Sequence, residues 1–209
     1  MPFRAFASTR PDRAAAIGAW LLGLGETIVW ACIFYVFAAL LLYWERDLGW
    51  AKADLTLGLT LAILMAAIAS PVAGRMIDAG HGRRVLGLGA LVGGLGLAAL
   101  SQAETVATYL AAWMVMGAAQ AFCLYEPCFS VVTRAKGAHA RPAITRITLM
   151  AGFASTVSFL SAAALVEATD WRITALVFAG AAITLAAPML YAGAALLEGA
   201  AGELAHPSP

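Results

Sequence analysis

The run Leu55–Ile77, LTLGLTLAILMAAIASPVAGRMI, lies between Asp54 and Asp78, and its one charge, Arg75, sits beside the second boundary. It exceeds the roughly 20 residues with which a helix crosses the hydrocarbon core of a bilayer. The turn Asp78-Ala79-Gly80-His81-Gly82-Arg83-Arg84 follows, and then a second apolar run, Val85–Ala103. Two runs of this kind joined by so short a turn leave no room for a soluble domain. The pattern continues in both directions: Ala14–Tyr43, Leu55–Ile77, Val85–Ala103, Thr105–Thr133, Ile144–Val166 and Ile173–Leu197 are six such stretches. The fold class read from them is all-α integral membrane, with six transmembrane helices. The chain divides into an N-terminal tail over 1–13, a six-helix bundle over 14–197 and a C-terminal tail over 198–209.

Composition agrees. Of the 209 residues, 62% are hydrophobic and 12% charged, and mean hydropathy is +0.84, whereas soluble domains run at about 45–50% apolar and about 25% charged. A soluble globular protein is excluded, and so is a disordered one, which needs low hydrophobicity and high net charge. A net charge of +1 leaves no basic footprint for nucleic acid. The first stretch follows Arg4, Arg10 and Arg13 but is too long for a signal-peptide core, so it reads as a retained helix.

Ten of the 13 Lys and Arg fall on one side: Arg4, Arg10 and Arg13, then Arg75, Arg83 and Arg84, then Arg134, Lys136, Arg141 and Arg146. Only Arg46, Lys52 and Arg172 fall on the other. Cytoplasmic loops are the basic ones, which predicts both termini in the cytoplasm of an inner or plasma membrane protein. Trp44, Trp50 and Trp171 lie near the opposite helix ends, at the level where indoles meet headgroups.

Two carboxyls lie well inside apolar runs, Glu26 in the first and Glu126 in the fourth, and no Lys or Arg lies at comparable depth. A charge there costs a few kcal/mol or more unless it faces water, finds a partner or carries a proton. The pair therefore marks a water-lined path or protonatable site, against the plainer reading of a carboxyl hydrogen-bonded to a neighbouring helix. Pro71, Pro127 and Pro188 interrupt three runs, each removing a donor and crowding the carbonyl four residues earlier, at Ala67, Cys123 and Thr184. Gly89 and Gly93 form a small-xxx-small step that reads first as packing inside the bundle and second as a dimer seam. The three cysteines, Cys32, Cys123 and Cys128, read as buried thiols. On a regular helix Cys123 and Cys128 point about 140° apart, which disfavours a soft-metal site. His81, His139 and His206 are all in loops, and no Gly-x-Ser-x-Gly occurs, so neither an intramembrane hydrolase nor haem ligation is expected. No enzyme activity, cofactor or metal is expected.

In the turn after Leu55–Ile77, Asp78 ends one helix and Arg83 and Arg84 begin the next, both against the helix dipole. Compensation is expected from pairing across the turn or from the positive end of a third helix. Gly74, Asp78, Gly80 or Gly82, Arg83 and Arg84 resemble the signature between the second and third helices of the major facilitator superfamily, Gly-x-x-x-Asp-Arg/Lys-x-Gly-x-Arg/Lys-Arg/Lys, with Ala79 at the usual basic position. Tyr125-Glu126-Pro127 and Asp170-Trp171-Arg172 are also similar to bacterial members. Trp113 stands ahead of Gly117 where the family's drug exporters carry an Arg, and Ala151–Val166 lacks their Gly-Pro, so a typical drug–proton antiporter is disfavoured.

The resemblance implies one six-helix half of a twelve-helix transporter. It places Glu26 and Glu126 along a central cavity that binds solute or the coupling proton, with Pro127 as a helix break. It places Gly74, Asp78, Gly82, Arg83 and Arg84 in a cytoplasmic gate. An even helix number lets two copies insert in one orientation, so a homodimer, or pairing with a second six-helix chain, is expected to complete the pore. The expected partners are the bilayer and a small-molecule solute, carried by alternating access. The alternative is a six-helix subunit or half-length relic that carries none.

Overall fold

The computed structural model describes residues 10–205; Arg4, His206 and the outer parts of both tails lie outside the described residues. Six helices are long and apolar enough to cross a membrane: α1 (Asp12–Leu48), α2 (Lys52–Asp78), α3 (Gly82–Ser101), α4 (Val106–His139), α5 (Arg141–Ala168) and α6 (Trp171–Gly202). Among the described residues there is no strand. Each apolar stretch of the sequence falls within one helix, to within two residues at its ends, because a backbone in lipid must satisfy its own hydrogen bonds.

Packing runs as a chain of neighbours. The fourth helix touches α2 on one side and α3 on the other, α6 joins α3 to α1, and α1 reaches α5. The edge helices are therefore α2 and α5. Only 17% of the apolar segment of α2 and 22% of that of α5 are buried, against 56% for the central α3. One long face of the bundle is left to whatever lies outside it.

Small residues set the closest crossings. At Gly117 a Cβ would collide with the backbone of Ala62, so α2 and α4 touch backbone to backbone. Gly89 lies under Phe122 and Cys123, and Gly93 under Ile33 and Ala119, which makes that pair a packing step inside the bundle. Van der Waals packing at small residues is what drives helices together where lipid is as apolar as the side chains.

The end opposite the basic turns is closed by aromatic side chains. Trp44 is fully buried and Trp171 nearly so. Trp44 meets Tyr109 at 5.5 Å, Trp113 at 6.2 Å and Trp171 at 6.2 Å, all edge to face, an arrangement that contributes about 0.5–1.5 kcal/mol per pair beyond burial. The rings come from α1, α4 and α6 and cover one another. The Tyr109 hydroxyl donates to the Leu55 carbonyl at 3.1 Å. Asp170 caps α6 by accepting from the Ile173 N–H at 2.8 Å, and the Arg172 guanidinium donates to the carbonyls of Ser101 and Ala103 at the end of α3. That closes two helix ends, the start of α6 and the end of α3, with the residues of one short motif.

Candidate functional site

Where the helices depart from regularity, they meet. Pro127 has no N–H to give the Cys123 carbonyl and its ring crowds that oxygen. The chain yields at the next residue: Leu124 is extended, with φ −89° and ψ −164°. A new helical segment starts at Tyr125 with Glu126 in its first turn, where proline is tolerated because those donors are unpaired anyway. The first helix contains a π turn, Trp30–Phe34, closed by the Tyr35 N–H donating to the Trp30 carbonyl at 2.9 Å. In α6 a π turn, Ala182–Ala186, precedes Pro188. By contrast α2 stays helical through Pro71, so the Ala67 carbonyl simply lacks the donor that residue 71 would supply.

The π turn of α1, the middle of α2 and the break in α4 enclose a cleft of about 290 Å³, lined among others by Trp30 and Phe34, Ala67 and Ser70, and Gln120 and Glu126. None of its lining residues is basic. Glu126 is exposed. Gln120 is only 4% exposed, and its amide nitrogen has no hydrogen-bond partner, nor does the Trp30 indole nitrogen. Trp30 lies 4.9 Å from Phe34 and 4.7 Å from Tyr125, and Tyr125 stacks on Phe129 at 5.0 Å. The arrangement offers a carboxyl group, an amide with unused donors and aromatic rings.

Glu26 stands behind this cleft and does not line it. It is fully buried, and neither carboxyl oxygen has a hydrogen-bond partner. The Cys128 thiol and the Trp30 indole are polar neighbours that do not meet hydrogen-bond geometry, and Glu126 is within electrostatic reach. The break at Leu124 also brings both Cys123 and Cys128 within reach of Glu26, where an unbroken helix would turn them apart. Among the described residues no three His, Cys, Asp or Glu are placed to hold a metal ion.

The turn motif lies at the basic end. Asp78, Arg83 and Arg84 are exposed, Gly74 is half-buried and Gly82 is buried. None of the three charged residues forms an ion pair among the described residues. What compensates the start of α3 is an acid: the Arg83 backbone N–H donates to Glu198 Oε1 of α6 at 3.2 Å. A Cβ on Gly82 would come within 2.7 Å of that oxygen and 2.6 Å of Val131 Cγ2, so only glycine admits the contact. The Arg83 guanidinium lies 6.0 Å from the centre of the Tyr191 ring. The expected pairing across the turn does not form; a third helix serves, through its carboxylate.

Sequence reasoning named Glu126, Pro127 and the Ala67 carbonyl but not Trp30, Ser70 or Gln120. Gln120 carried a signal, since a lone amide deep in an apolar run costs free energy in the same way that a lone acid does.

Six apolar helices, an acidic cleft at the meeting of three of them and a Gly-Asp-Arg-Arg turn at the basic end define a multi-pass membrane protein of transporter type. A family model described as Major Facilitator Superfamily matches residues 14–203. The chain belongs to that superfamily. Neither the curated proteins nor the solved structures include one that matches it.

Proposed function

We propose that the protein is a secondary-active transporter of a small solute, working by alternating access as a parallel dimer with the cleft of each subunit turned toward a shared path. The carrying observation is the cleft: an exposed carboxylate at bilayer depth, on a broken helix, beside a buried amide with no partner. Both are expensive in lipid and useful in a water-filled path. Dimerisation is supported by the low burial of the edge helices α2 and α5 and by the even number of helices, which lets a second copy insert in the same orientation. A different six-helix chain would serve equally in the second place. The basic end is placed in the cytoplasm by its excess of Lys and Arg, and there Gly74, Asp78, Gly82, Arg83 and Arg84 would latch one subunit against the other.

In this reading Glu126 holds the coupling proton or the polar group of the solute, and Glu26 shares that proton from behind. Like charges in one low-dielectric site favour keeping a proton between them. The test uses vesicles loaded with a pH-sensitive dye and challenged with a panel of small cationic, neutral and anionic solutes. At least one solute should drive proton movement that Glu126→Gln abolishes although the variant inserts and assembles. Unchanged proton movement in the Glu26→Gln/Glu126→Gln double variant would show that the acids are structural.

A further inference from the structure

We propose that the cleft is built for an organic cation, a quaternary or protonated amine on a compact apolar body; this rests on the transporter reading and specifies its substrate class. Two independent features of the cleft agree on the sign of the charge. Glu126 supplies a carboxylate and no basic side chain lines the cleft, so an anion would be repelled with nothing to hold it. The second feature is aromatic: Trp30 and Phe34, with ring centres 4.9 Å apart, both line the cleft. Ring faces attract a cation within about 6 Å of the centroid, and a tryptophan does so most strongly.

The alternatives fail on specific groups. A wholly apolar solute would strand Glu126 and the Gln120 amide without partners, which is costly wherever water is excluded. The Gln120 nitrogen, buried and unpartnered, shows in addition that the cleft holds donor capacity the fold leaves unused, available to an oxygen carried by the solute or to a bridging water. Size sets the scale. The cleft of one subunit holds about 290 Å³, near the small end of ligand pockets, which run at about 300–1,000 Å³, so one ring with a cationic head fits within it.

The test measures binding and transport separately on the full chain in lipid nanodiscs and in vesicles. Three probes of similar shape are compared by calorimetry: phenyltrimethylammonium, its uncharged counterpart tert-butylbenzene, and benzoate. Phenyltrimethylammonium should bind at least about tenfold more tightly than either of the others. Glu126→Gln should weaken it about tenfold or more, and Trp30→Leu by several-fold, with Trp30→Phe recovering most of the loss because a ring face remains. Equal binding of tert-butylbenzene, preferential binding of benzoate, no binding of the ammonium, or full affinity in both variants overturns the proposal. Counterflow of labelled phenyltrimethylammonium in vesicles separates the two claims. Binding without counterflow leaves the cation site and removes the transporter; counterflow of benzoate or another solute without cation binding does the reverse.

Discussion

Replacing Glu26 by Met should stabilise the protein and disable it. The carboxyl is fully buried and both oxygens lack partners, so the folded state carries a desolvation cost that the unfolded chain does not. Leaving one buried polar group unpaired costs about 1–3 kcal/mol. Met is close to Glu in length and volume, and its flexible thioether fills an irregular space without demanding a hydrogen bond. The expected gain is about 2 kcal/mol, which for a chain of this size raises the thermal midpoint by about 4–8 °C. Glu26→Gln keeps an unpaired polar head in the same place and should move the midpoint far less. The assay is thermal unfolding in detergent followed by circular dichroism, beside proton movement in vesicles. Stabilisation with loss of proton movement marks a residue kept for function at the expense of stability. A Met variant that melts lower than wild type would refute the reasoning, because it would mean that the carboxyl is satisfied in the native protein.

Four further outcomes are expected. Gly117→Ala should destabilise by about 1–3 kcal/mol, since its Cβ would collide with the backbone of Ala62 and overpacking costs that much; Gly74→Ala, with open space around it, should melt like wild type. Glu198→Ala, which removes the acceptor at the start of α3, should cost about 0.5–2 kcal/mol by the same melting assay. Arg172→Met loses the two hydrogen bonds that tie α6 to the end of α3 and should lower the midpoint in detergent by several degrees, about 1.5–3 kcal/mol per charged bond being the upper bound. A cysteine placed at Ala51 should react with an impermeant reagent outside the cell and one at His139 should not; the opposite pattern would reverse the orientation.

The six helices were legible because lipid makes them so: an apolar run of spanning length has no other way to satisfy its backbone. Pro127 announced the break in α4, though the chain yields at Leu124, one residue beyond the crowded carbonyl of Cys123. That single residue resets the helical phase, and with it the directions of Cys123 and Cys128, which regular-helix arithmetic had set apart. The π turn at Trp30–Phe34 has no proline or glycine to mark it, so the wall of the cleft that it builds was invisible. Glu198 reads locally as the start of a polar tail. Its partner at Arg83 is 115 residues away in sequence, and only the packing of α6 on α3 brings them together. Trp44 and Trp171 read as helix-end indoles, and only the packing of α1, α4 and α6 shows that their rings cover one another.

Access to Ser70 tests the central claim most directly, without knowledge of the solute. This exposed residue lines the cleft opposite Glu126, and Cys32, Cys123 and Cys128 are the native thiols to be removed first. In sealed vesicles of known orientation, Ser70→Cys in that background should be modified by a membrane-impermeant maleimide supplied from either face, as a site that opens alternately to both sides must be. Modification from neither face, or from one face only under every gradient applied, would contradict a transport path through the cleft.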